Sequence, residues 1–201
     1  MTIDSIKKLR ELYETPKERA VLKTLTSFDV HCVRFVELSP FIVIATAGPD
    51  GQMDASPRGG APGFVEVLDS TRFLIPDAPG NNRLDSITNI IETGHIGLLF
   101  MIPGVDETLR VNGSATMSAD PRLLDHFDSE KRAPRAVIDV RVGEAFLHCA
   151  KAFMRSNLWS PEGRIDRSEL PTLGEMLNDQ TGSSSPPETQ AEMIERYKKE
   201  L

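Results

Sequence analysis

The chain has 201 residues, of which 39% are hydrophobic and 26% charged, the proportions of one ordinary globular domain and not of a disordered segment. Its net charge of -7 and isoelectric point near 5.2 argue against a nucleic-acid partner, which would ask for clustered Lys and Arg, and no such stripe is present. The two cysteines, Cys32 and Cys149, are too few for a disulfide framework or a zinc site, and His31, His95, His126 and His148 do not fall at metal-ligand spacing. The start, MTIDSIKKLRELYETPKERA, is charged and has no apolar core segment, so no signal peptide is expected. The longest apolar runs, FIVIATA and IGLLFMI, are of strand length, far below the roughly 20 residues of a membrane-spanning helix. The chain reads as soluble and cytoplasmic, with no membrane partner.

Residues 1–38 read as helical. Thr15-Pro16-Lys17-Glu18 has the form of a helix start, with Thr15 as cap, Pro16 in the first turn and Glu18 closing a capping box. Val21, Leu25, Phe28, Cys32 and Phe35 then recur at intervals of four and three and predict one apolar stripe, on which Cys32 packs inward. From Phe41 the texture changes. FIVIATA (41–47) predicts a strand buried on both faces, and the turn residues GPDG lead into a partner strand over 52–57. Beyond the glycine-rich RGGAPG, two short strands are expected near 64–67 and 71–76, and PDAPG breaks the pattern. Asn82 is predicted to cap a helix with Leu84, Ile87 and Ile91 facing inward and Gly94 as its stop.

HIGLLFMI (95–102) predicts a second buried strand, and PGVD a hairpin loop. In TLRVNGSATMS, Leu109, Val111, Ala115 and Met117 alternate with polar residues, the pattern of a strand with one core face and one polar face. Asp120-Pro121 opens a short helix, AVIDVRVGEAFLHC (136–149) is a long strand, and the tail from Arg164 is polar, with a weak helix over 188–200. Helices followed by about seven strands joined mainly by hairpins, without βαβ alternation, predict an antiparallel barrel with helices around it. There is no internal repeat, and a single domain over 1–201 is expected: helices to 38, barrel over 39–160 and a helical tail over 161–201.

Several chemistries are absent from the sequence. RGGAPG lacks the spacing and following helix of a dinucleotide fold, and neither a Walker A motif nor a GxSxG elbow occurs. What stands out is a set of Arg and small polar residues at element ends. Ser56-Pro57-Arg58-Gly59 closes a strand, and Asn81-Asn82-Arg83 precedes a helix, whose first turn favours an anion. A phosphate monoester needs such a set, one or two Arg with hydroxyl or amide donors. Equally, Arg58 and Arg83 can be surface residues pairing with neighbouring acids, and residue types alone leave both readings open.

The stretch ASPRGGAPGF…FLIPDAPGNNRLDSITNIIETGHIGLLFMIPGVDETLRVNGSATMS, with a later HCAKAFMRSNLW, resembles the pyridoxamine 5′-phosphate oxidase-related FMN-binding split-barrel proteins. It is similar in particular to a bacterial subfamily sharing SPRG, PGNNRLDS, PGVDETLRVNG and the late HCxKAxxRSxLW. The resemblance covers most of residues 20–180. It implies an antiparallel split β-barrel with peripheral helices, mainly β in content, FMN as cofactor, and a homodimer. It further implies that Ser56, Arg58, Asn81 and Arg83 hold the FMN phosphate and that Thr108 lies near the flavin ring, with Arg110 on the same polar strand face as a further cofactor contact. Lys151 and Arg155, four apart on one face of a short helix, and Trp159 would approach the flavin of the partner subunit. Trp159 also has the simpler reading of ordinary packing.

The sequence departs from the namesake enzymes. In those, the phosphate-binding Arg is followed by an apolar run ending in Lys, whereas Arg58 is followed by Gly59-Gly60-Ala61-Pro62-Gly63, and their C-terminal Arg-rich substrate motif is missing. The expected function is an FMN-dependent oxidoreductase moving two electrons to or from a small molecule, with NAD(P)H as an electron donor, and not a true pyridoxamine 5′-phosphate oxidase. A deazaflavin-dependent split-barrel reductase and an FMN-binding protein without turnover are the alternatives.

Overall fold

The computed structural model describes residues 2–129 and 131–200. Three N-terminal helices, α1 (Ile6–Leu12), α2 (Glu18–Leu22) and α3 (Val30–Leu38), precede the strands β1 (Phe41–Ala47), β2 (Met53–Gly59), β3 (Glu66–Asp69) and β4 (Arg72–Pro76). Helix α4 (Asp85–Thr93) leads to β5 (His95–Met101), β6 (Thr108–Ser118), the short helix α5 (Pro121–Leu124) and β7 (Val137–His148). The C-terminal part carries α6 (Lys151–Ser156), α7 (Leu173–Thr181) and α8 (Gln190–Glu200). The strands form one seven-stranded sheet in the order β2-β1-β5-β6-β7-β4-β3, with every neighbouring pair antiparallel. The sheet does not close on itself, so β2 and β3 remain its edges. This is the antiparallel split barrel with peripheral helices that the sequence implies.

The sheet curls because its apolar residues alternate onto one face. Ile42, Ile44, Leu98, Phe100, Leu109, Val111, Val140 and Phe73 share one buried cluster with Phe28, Cys32 and Val36. Phe73 of β4 stacks on Phe28 at 5.5 Å and meets Phe100 of β5 edge-on at 6.1 Å. A flat sheet would hold those two strands, three positions apart, about 14 Å from one another. Their ring contact is the direct mark of curvature around a common core. A bulge between Asn112 and Gly113 of β6, opposite Val142–Glu144 of β7, bends the longest ribbon. A Cβ at Gly113 would lie 2.0 Å from the Arg141 carbonyl oxygen, so only glycine lets the two backbones approach there.

Several local expectations are corrected. Thr15 and Glu18 form no capping box: α2 is capped at Lys17 without a side-chain hydrogen bond. The stripe from Val21 to Phe35 does not lie on one helix. The chain leaves α2 after Leu22, Leu25 exchanges backbone hydrogen bonds with Ala145 beyond the end of β4, and α3 restarts at Asp29, whose carboxylate accepts from Cys32 N. Tertiary strand pairing with β7 overrides helical periodicity here. Cys32 and Phe28 are nonetheless buried. β1 buries Ile42, Ile44 and Thr46, while Phe41 stays exposed, so one face is core and the other only partly covered. Leu84, which precedes α4, and Ile91 within it are 50% and 68% exposed, and Ser86 and Ile90 face inward instead. Gly94 does end that helix in the left-handed conformation. Within the tail, helix α7 is opened by a Thr172–Glu175 capping box and ended by Gly182.

Candidate functional site

β2 is an edge strand, which is where a strand tolerates a proline, and Pro57 sits within it. The period of two along β2 sets Asp54, Ser56 and Arg58 on the same, half-buried face, with Met53, Ala55, Pro57 and Gly59 on the other. That face borders an open cleft of about 1370 Å³, whose other walls are residues 77–85 after β4, Ser86 and Ile87 of α4, Met117, and the approach to β7 with Arg132 and Arg135. Small-molecule pockets commonly occupy about 300–1,000 Å³, so the cleft has room beyond a single ordinary ligand.

The loop that enters α4 is held in an uncommon conformation. Asn82 and Leu84 both have left-handed backbones, with φ of 58° and 59°. Asn tolerates this, but for Leu84 the cost is about 1–2 kcal/mol. Three polar contacts hold the turn. The Asn81 side-chain oxygen accepts from Arg83 N at 3.0 Å, Arg83 Nε donates to Asp85 at 2.8 Å, and the buried Ser86 hydroxyl donates to Asp54. Asp54 also accepts from the Ser56 hydroxyl, at 3.0 Å to one oxygen and 3.2 Å to the other. Behind this cluster, Asn89 of α4 donates to Thr46 of β1 at 3.0 Å and fixes the helix against the sheet.

Among the described lining residues, four guanidiniums (Arg58, Arg83, Arg132, Arg135) face three carboxylates (Asp54, Asp77, Asp85). The lining is therefore slightly positive in a chain whose net charge is -7. Burial pushes the Asp77 carboxyl above its ordinary range, against the opposing pull of Arg58 and Arg135. Arg83 is held more firmly protonated by its hydrogen bond to Asp85, with Asp54 adding to the effect.

Ser56, Arg58, Asn81 and Arg83 all line this cleft, although 25 positions separate Ser56 from Asn81 in the sequence. Ser56 has its proton directed to Asp54, which differs from the expected free phosphate donor. Thr108, Arg110, Lys151, Arg155 and Trp159 do not line the cleft of this chain. Thr108 is 4% exposed and pairs with His148 across the ribbon. Arg110 is paired with Glu144 and stacked 4.1 Å over the Phe146 ring. Nearby, burial, with Arg110 and Lys23 adding, keeps His148 below the ordinary histidine range. Lys151 and Arg155 lie exposed on α6. The Trp159 indole donates to the Val105 carbonyl at 2.9 Å and stacks on Phe153 at 5.4 Å, the packing role left open for it.

Sequence reasoning missed Asp54, Ser86, Asp77, Arg132 and Arg135. Asp54 was legible, since it shares the strand face of Ser56 and Arg58. Arg132 and Arg135 reach the cleft only because the chain returns there to start β7. Cations beyond Arg58 and Arg83 therefore face this cleft.

The family profile described as pyridoxamine 5′-phosphate oxidase matches residues 28–149, more than half of the chain. The chain belongs to the pyridoxamine 5′-phosphate oxidase family. The matched span runs from the start of α3 through β7 and so includes the β2 and α4 walls of the cleft. No curated protein matches the chain. Among solved structures, HupZ of Group A Streptococcus superposes with a TM-score of 0.50 at 16% identity, covering 60% of this chain and 94% of that one. An FMN-binding protein of Syntrophomonas wolfei gives 0.44 at 10% identity, covering 71% and 93%, and an FAD binding protein of Mycobacterium smegmatis 0.44 at 14%, covering 62% and 97%. At such identity the HupZ likeness speaks for the shared fold. Among the described residues, no helix is long and apolar enough to cross a membrane, and no group of His, Cys, Asp or Glu could hold a metal ion.

The raised Asp77 carboxyl has a consequence for stability. A group whose pKa rises on folding contributes stability below its unfolded value, about 3.9 for Asp, and that contribution is lost as pH climbs through the folded value. Asp77→Asn is therefore expected to raise the melting temperature at pH 7, with the gain over wild type vanishing by about pH 4. Equal melting temperatures at pH 7 would contradict this.

Proposed function

We propose that the chain is a flavoprotein that holds FMN in this cleft and passes two electrons through it. The observation that carries the reading is the convergence of Arg58 and Arg83, from separate elements, on one positive cleft in a member of this family. The donor set fits a phosphate monoester: guanidiniums supply charge-assisted hydrogen bonds, and the Asn81 amide and the α4 entry supply neutral donors. The three carboxylates of the lining leave only a small net positive charge. Recognition would therefore come from geometry more than from field strength.

Bound FMN would supply hydride acceptance at its ring, chemistry that needs no protein acid or base. The chain's own task is then to bind and orient. Arg58 and Arg83 would take the phosphate oxygens, with Arg83 exchanging part of its bond to Asp85 for the ligand. Asn81 would keep the loop turned through its bond to Arg83 N. Ser56 would act through Asp54, unless its hydroxyl turns toward the ligand when the phosphate arrives.

Thr108, Arg110, Lys151, Arg155 and Trp159 fit the reading through a second copy of the chain, which would place the ring beside these residues at a two-fold interface. Sedimentation at low micromolar concentration should then show twice 22.2 kDa. A monomer saturated with FMN would remove the homodimer.

Loss of one charged donor to a dianion should weaken FMN binding by about tenfold to a hundredfold. Titrations of FMN against Arg58→Ala and Arg83→Ala, with riboflavin as control, should show that loss for FMN alone. Wild-type FMN affinity in both variants would contradict the assignment. Bleaching of the loaded protein by NAD(P)H, followed by recolouring in air, would mark an oxidoreductase with that donor and set it apart from a flavin carrier.

A further inference from the structure

We propose that Asp54 is a positioning residue that builds the ligand loop before the ligand arrives, an inference that rests on the cleft being an anion site. A carboxylate is a poor choice of neighbour for a phosphate. Asp54 nonetheless sits among the lining residues, on the same strand face as Arg58. Its oxygens are occupied by two hydroxyls, Ser56 on its own strand and Ser86 in the first turn of α4. Ser86 is 2% exposed, so its hydroxyl would be costly to leave without a partner, and Asp54 is the partner it has.

This bond joins the edge strand to the helix at the place where the chain has most need of a fastening. Leu84, the residue before α4, is left-handed, exposed, and offers the helix no side-chain cap. The segment between Asn81 and Asp85 is therefore poorly determined by its own sequence. Local bonds turn it, but none of them ties it to the sheet: Asn81 to Arg83, and Arg83 to Asp85. The Ser86–Asp54 bond supplies that tie two residues from the strained Leu84 and three from Arg83. Asp54 further acts electrostatically on Arg83. Holding the loop in place would set Arg83 at a fixed distance from Arg58 across the cleft, so that a ligand does not have to order the loop as it binds.

Two opposite roles for Asp54 can be separated by sign. If its charge only repels the ligand, Asp54→Ala should tighten FMN binding and Ser86→Ala should change nothing. If Asp54 positions the loop, both variants should raise the FMN dissociation constant by about tenfold, the scale of one charge-assisted hydrogen bond. Riboflavin affinity should hold in both, and the double variant should be no worse than either single one, because the two side chains act as one link. Amide hydrogen exchange over residues 82–87 of the ligand-free protein should quicken in both variants, while β5 and β6 keep wild-type protection. Unchanged exchange over 82–87, or tighter FMN binding by Asp54→Ala, would overturn the proposal. A wild-type protein that binds no FMN would remove the function proposed above, and the exchange measurement would still decide the role of Asp54.

Discussion

Everything at the site follows from β2 having a neighbour on one side only. A strand in the middle of the sheet would need its amide hydrogens for two partners, whereas the edge strand β2 can hold Pro57, which has none to give. As the edge of a sheet that curls but does not close, β2 pairs with β1 through Ile42, Ile44 and their neighbours and leaves its other margin open. The core enforces that curvature. The contacts among Phe28, Phe73 and Phe100 draw β4 and β5 round the same centre, and this brings the loop after β4 and the approach to β7 opposite β2. Arg132 and Arg135 meet Arg58 by this route, without any local relation in the sequence.

The cleft balances opposing charges at short range. Asp77 is destabilised by burial yet lies where Arg58 and Arg135 act on it, and Asp85 pairs with Arg83. In the proposed function, Arg83 would trade this carboxylate for the phosphate. The exposed Arg83–Asp85 pair is weak in water, so the exchange costs little. The deeper link through Asp54 and Ser86 is the part that a ligand would not displace.

What was legible in the sequence was whatever rests on local periodicity. The alternation in TLRVNGSATMS gave β6 with Leu109, Val111 and Ala115 in the core, though Thr108 is buried and Met117 only partly so; the apolar runs gave β1 and β5, and Gly94 gave the end of α4. The four residues expected to meet a phosphate do share one cleft. What failed did so where tertiary contacts override local preference. Leu25 left its helical stripe to pair with Ala145, and α4 turned Ser86 and Ile90 inward because the left-handed Asn82 and Leu84 rotate its start. Arg110 lies on the polar strand face, and its pairing with Glu144 and stacking over Phe146 of the adjacent strand come from strand pairing that alternation within β6 could not show.

The central claim is that the cleft beside β2 selects FMN, and the most direct measurement is the mass and absorption spectrum of the small molecule released when the purified protein is denatured. FMN, released in proportion to the chain and rebound by the refolded protein in preference to riboflavin, is the predicted result. Release of a deazaflavin, or a colourless protein that takes up no FMN when it is supplied, would contradict the account.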